Sequence, residues 1–73
     1  MNIARISRIA HNRRTAQDIY DRMPIKEQGT RCITAVCKMI LLAGNKFHNG
    51  ELYEPHSKSL GCGVYHVWYD KVA

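Results

Sequence analysis

The chain predicts an α+β domain in which three short helices precede a two- or three-stranded antiparallel sheet. Three observations point there. Apolar residues recur at helical spacing through roughly the first forty positions of a 73-residue chain. An Asn49-Gly50 pair then sits between apolar flanks, a hairpin signal because both residue types accept positive φ. The stretch "VYHVWYDKV", residues 64–72, is rich in β-branched and aromatic residues.

The elements follow in order. Residues 2–11 read as a helix, because Ile3, Ile6, Ile9 and Ala10 share one face and Asn2 is positioned to cap it. That period puts Arg5, Arg8 and Asn12 on the opposite face. A second helix begins at Thr15, with Asp18 three residues on as a capping-box partner. Ala16, Ile19, Tyr20 and Met23 give its apolar stripe, and Pro24 ends it. "IKEQG", residues 25–29, is a connector. A third helix spans Thr30 to Ala43 with Gly44 as its C-cap. It is apolar nearly all round, interrupted by Arg31, Thr34 and Lys38 on one face, and so reads as the core helix. "KFHNGELY", residues 46–53, is the hairpin, and "EPHSKSLGCG", residues 54–63, is a loop by composition. The last strand, residues 64–72, places Tyr65, Val67 and Tyr69 on one face and His66 and Trp68 on the other.

Seventy-three residues make a single small domain, 1–73, with a modest core. Such a scaffold favours binding over a multi-residue catalytic pocket, and the chain is read as not an enzyme. The formal charge is +5, and its distribution is uneven. Residues 1–14 carry four Arg and no acid, while residues 15–73 carry seven Lys or Arg against six acids. A local basic patch calls for an acidic partner, and arginine favours planar, bidentate contacts. Three cysteines, an odd number, and no apolar leader predict reduced thiols in the cytoplasm. The longest apolar run, "MILLA" at 39–43, is too short to span a membrane. The chain opens on Met1 and reads as a whole small reading frame, expected to be a monomer without a cofactor.

The order of three helices and a hairpin resembles the winged-helix DNA-binding modules. That resemblance implies nucleic-acid contact through Arg31, Thr34 and Lys38 on the third helix and Lys46 at the hairpin. Against it, the polar stripe on that helix is narrow, and the arginine concentration sits on the first helix. A zinc site from Cys32, Cys37, Cys62, His48, His56 and His66 lacks any C-x-x-C or H-x-x-x-H pair. The "GCG" at 61–63 matches no nucleophile motif, so Cys62 is not assigned a reaction. Trp68, followed by Lys71, is either packed on the third helix or an exposed anchor for a protein partner.

The size, the basicity and the start "MNIARISRIAHNRRTAQDIYDRM" resemble the small transcription regulators of lytic phages, of the kind found in a Xanthomonas phage. Such regulators bind host RNA polymerase, shut off initiation at host promoters by displacing the sigma factor, and promote terminator read-through. The resemblance implies a host-takeover protein that works in the host bacterial cytoplasm by occlusion. On this reading Ile3, Arg5, Ile6, Arg8, Arg13, Arg14 and Trp68 are the partner-binding residues. Two other classes are carried alongside it: a small winged-helix-like DNA-binding protein, and an inhibitor of another host enzyme such as a CRISPR or restriction component.

Overall fold

Among the described residues, two helices and five strands replace the expected three helices and small sheet. The structure, a computed structural model, describes residues 8–22, 24 and 29–73. The elements are β1 (Arg8–Ala10), α1 (Arg13–Arg22), β2 (Thr30–Cys32), α2 (Ala35–Leu41), β3 (Lys46–His48), β4 (Glu51–Gly61) and β5 (Val64–Lys71). The strands form one mixed sheet in the order β1-β2-β5-β4-β3. β1 and β2 are parallel, and every other pair is antiparallel.

The expected first helix fails where it can be checked. Arg8, Ile9 and Ala10 pair with Thr30, Arg31 and Cys32 as an outer strand, and Ile3, Arg5 and Ile6 lie outside the described residues. The run at 8–10 is short enough to fit a two-residue alternation as well as a helical one. Ala10 is buried while Ile9 is exposed, and the paired strand decides between the two patterns.

α1 begins slightly earlier than the sequence suggests. Its cap is Asn12, not Thr15. The Asn12 Oδ1 accepts the Thr15 backbone N–H at 2.9 Å and the Thr15 hydroxyl at 3.2 Å. The Ala16 N–H bonds to the Asn12 carbonyl. Ala16 and Ile19 are the buried residues of the helix.

The expected third helix divides in two. Thr30 and Cys32 are buried and Arg31 is exposed, the alternation of a strand with one covered face. The chain then turns at Ile33, and Thr34 caps a seven-residue α2 by accepting the Cys37 N–H at 3.1 Å. Leu42 closes it, so Gly44 lies beyond the end.

The Asn49-Gly50 hairpin forms as expected, with φ of 52° and 78° at its two central residues. The supposed loop at 54–63 is instead most of β4, paired with β5 as far as Gly61. Pro55 is tolerated there for a geometric reason. Val72 N–H donates to the Leu52 carbonyl at 2.9 Å. Alternate residues from Leu52 onward therefore bond across to β5, and the Pro55 nitrogen points to the outer edge, where β3 has already ended.

Both helices cover one face of the sheet. Ala10, Ala16, Ile19, Cys32, Cys37, Leu41, Tyr53, Val67 and Tyr69 form the core between them. Tyr69 anchors it, donating its hydroxyl to the Leu41 carbonyl at 2.8 Å from a buried position. This satisfies a carbonyl at the end of α2 that has no helical partner. Lys38 sits over the Tyr65 ring at 4.4 Å, and Lys46 over Tyr20 at the same distance.

This core makes stability sensitive to alkali. Burial, with Cys37 beside it, pushes the Cys32 thiol up from 9.0 to about 11. Burial likewise holds the Tyr69 phenol well above its ordinary value, with Tyr20 and Cys32 adding to the effect. Both groups keep their protons in the fold at a pH where the unfolded chain has lost them. The Cys32 contribution is therefore complete below pH 9.0 and is lost as pH rises through about 11, whereas that of Tyr69 is complete below pH 10.0 and is lost only at higher pH. Lys46, lowered by burial, acts in the opposite sense. Tyr53 and Lys71, both raised, act in the same sense as the core groups, so urea midpoints measured from pH 8 upward should fall, with Cys32 alone accounting for on the order of 2–3 kcal/mol. Cys32→Ala should lower the starting stability and flatten that slope.

Candidate functional site

The face of the sheet opposite the helices carries the most organised set of side chains. On β5 the alternation sends Tyr65, Val67 and Tyr69 into the core and His66, Trp68 and Asp70 outward. Register extends this outward set to His56 and Lys58 on β4, which face Trp68 and His66, and to Arg31 on β2, which faces His66. The His56 and Trp68 rings are stacked, with centroids 5.9 Å apart and planes at 25°. The His66 ring continues the row, 5.3 Å from Trp68 and tilted by 36°. Three rings from two strands thus make a continuous aromatic surface.

Two features hold these rings in place. Asp70 accepts the Trp68 indole N–H at 3.2 Å, and its Oδ2 lies 3.5 Å from His56 Nε2. Glu54 approaches the same His56 nitrogen at 3.5 Å. At the other end, Gly29 lies beneath His66. A Cβ added to Gly29 would collide with the His66 ring at Nε2. The missing side chain is what lets the imidazole lie over the backbone entering β2.

Arg31 and Lys58 flank the rings, both exposed. Neither makes an ion pair or a hydrogen bond with its side chain among the described residues. The acids of this face, Glu54 and Asp70, are at the His56 end and engaged with the rings. Ile9 on β1 and Phe47 on β3, 46% and 71% exposed, extend the face to either edge of the sheet.

The arginines form a second surface. Arg8 lies on β1, and Arg13 and Arg14 start α1, separated from that strand by two residues. Arg13 and Arg14 are exposed and unpaired among the described residues. The acids further along the helix are taken, Asp18 by Arg22 at 3.3 Å and Asp21 by Gln17 at 3.0 Å. Arg13, Arg14, Gln17, Asp18 and Asp21 line an open depression along α1. The first turn of α1 holds no acid, and two cations there oppose the positive end of the helix dipole.

The residues expected to contact nucleic acid through a recognition helix are dispersed. Arg31 is on a strand, the Thr34 hydroxyl caps α2, and Lys38 rests on Tyr65 on the core side. Lys46 Nζ is buried without a hydrogen-bond partner, against the Tyr20 ring. No described helix gathers them, so the winged-helix arrangement is set aside. Trp68 packs on neither described helix; it sits on the opposite face of the sheet.

Sequence reasoning missed His56, Lys58, His66, Phe47 and Gly29 as parts of one surface. The outward pairing of His66 with Trp68 was visible in the alternation of β5. Their partners on β4 were hidden by the composition of 54–63, which mimics a loop. Among the described residues no group of three or more His, Cys, Asp or Glu could hold a metal ion. No described helix is long and apolar enough to cross a membrane. Compared with models of known families, with curated proteins and with solved structures, the chain matches none.

Proposed function

We propose that this protein is a phage regulator of host transcription that binds bacterial RNA polymerase, inhibits initiation at host promoters by displacing sigma, and promotes terminator read-through. The observation that carries the reading is the segregation of four arginines from every acid within residues 1–14. Their setting supports it. Arg13 and Arg14 stand unpaired at the end of a helix where positive charge costs stability, as expected of residues kept for an acidic partner rather than for the fold. The resemblance of the N-terminal segment to small phage regulators names the partner. Binding of this kind needs no chemistry: a patch of about 800 Å² per partner is within reach of a domain this size. Arginine there adds register and association rate to affinity.

Transcription with purified polymerase, sigma and a template carrying a promoter and an intrinsic terminator tests the reading. Added before sigma, the protein should suppress initiation. Added to elongating complexes, it should raise the share of transcripts passing the terminator. Unchanged yield and termination at saturating protein would overturn it.

A further inference from the structure

We propose that the face of the sheet opposite α1 and α2 is a stacking platform for single-stranded nucleic acid. The inference does not rest on the arginines that carry the polymerase reading; Trp68, expected from the sequence to anchor a protein partner, is the one residue the two share. The row of His56, Trp68 and His66, each partly exposed on the sheet, offers ring surface on which unpaired bases can stack whatever their identity. Sheet platforms of this kind stack two or three bases at once. Arg31 and Lys58, exposed and unpaired, stand beside the rings on β2 and β4, where a backbone crossing the strands would bring its phosphates. Glu54 and Asp70 do not contradict this assignment, because their oxygens are directed at His56 and the Trp68 indole N–H, which they orient. A duplex, whose bases are already stacked, cannot use the rings.

Gly29 strengthens the assignment. Its φ lies outside the left-handed range that favours glycine, and its Cβ position is occupied by the His66 ring. Alanine is therefore acceptable to the backbone yet must displace that ring. The residue is explained by the platform more directly than by the fold.

The chain contains a single tryptophan, so Trp68 reports its own contacts. Titrating the full-length protein with a 12-nucleotide oligouridylate in low salt should quench its emission and raise the anisotropy of the labelled strand. The oligodeoxythymidylate of equal length should do the same to a degree that shows whether the ribose matters. Trp68→Ala should weaken binding, read by anisotropy, about tenfold or more, and Trp68→Phe should restore most of it. Gly29→Ala should weaken binding while circular dichroism stays unchanged. Arg31→Gln with Lys58→Gln should lower the slope of log affinity against log salt by about 1.4. Three results would each overturn the platform: no binding of either strand, equal binding of a duplex, or full binding by Trp68→Ala. If the oligonucleotides fail to bind while Trp68→Ala loses the polymerase, the face belongs to a protein partner and the proposal is wrong.

Discussion

Replacing Arg13 and Arg14 together with Glu should abolish polymerase binding and leave the fold at least as stable as before. Both side chains are exposed and unpaired among the described residues, so no native contact is lost. Glutamate in the first turn suits the positive end of α1, with an expected gain of about 0.3–1 kcal/mol per residue. Truncating a hot-spot arginine at an interface costs about 2 kcal/mol or more, and reversing its charge adds repulsion. Two reversals should therefore lower affinity by roughly a hundredfold or more. The opposite signs make the experiment informative: a melting temperature that holds or rises while binding disappears cannot be explained by unfolding. Retained affinity would return these arginines to a solvated helix end.

Loss of the Tyr69 side chain should be the most damaging single change to the fold. Tyr69 is almost wholly buried and joins β5 to the end of α2 through its bond to the Leu41 carbonyl. Tyr69→Ala removes a large core side chain, and changes of that size cost about 3–5 kcal/mol. A chain this short has a total stability of only about 4–11 kcal/mol. The variant should be largely unfolded at 37 °C. Tyr69→Phe keeps the ring and leaves the carbonyl unpaired, for which about 1–3 kcal/mol is expected. Urea unfolding of the two variants separates the packing of the ring from its hydrogen bond. Equal losses would show that the bond to Leu41 carries the whole effect, and no loss in Tyr69→Phe would show that water replaces it.

Local signals with one dominant physical cause were legible in the sequence. Asn49-Gly50 gave its hairpin because positive φ at two successive residues leaves few alternatives. The alternation of β5 sorted core from surface correctly, and Pro24 followed the end of α1. The failures share a cause as well. Thr30–Cys32 and Arg8–Ala10 are three-residue strands, too short for a period of two to be told from a period of 3.6. Their state is settled by pairing with distant residues, which no local window contains. Thr34 was the available clue, since a capping residue in mid-helix argues for a boundary. β4 was lost to composition: Pro55, three serine or lysine positions and Gly61 look like a loop until the outer edge proves to be free. The candidate surfaces divide in the same way. The arginine segregation needed only counting, whereas the aromatic platform required the register of β4 on β5.

The most direct test of the central claim is capture of partners from a nuclease-treated bacterial lysate on the immobilised full-length chain, with mass spectrometry of what is retained. RNA polymerase subunits in near-stoichiometric amount, lost with the Arg13→Glu, Arg14→Glu chain, are the predicted result. Absence of polymerase from the retained fraction, with the immobilised protein shown to be folded, would contradict the account.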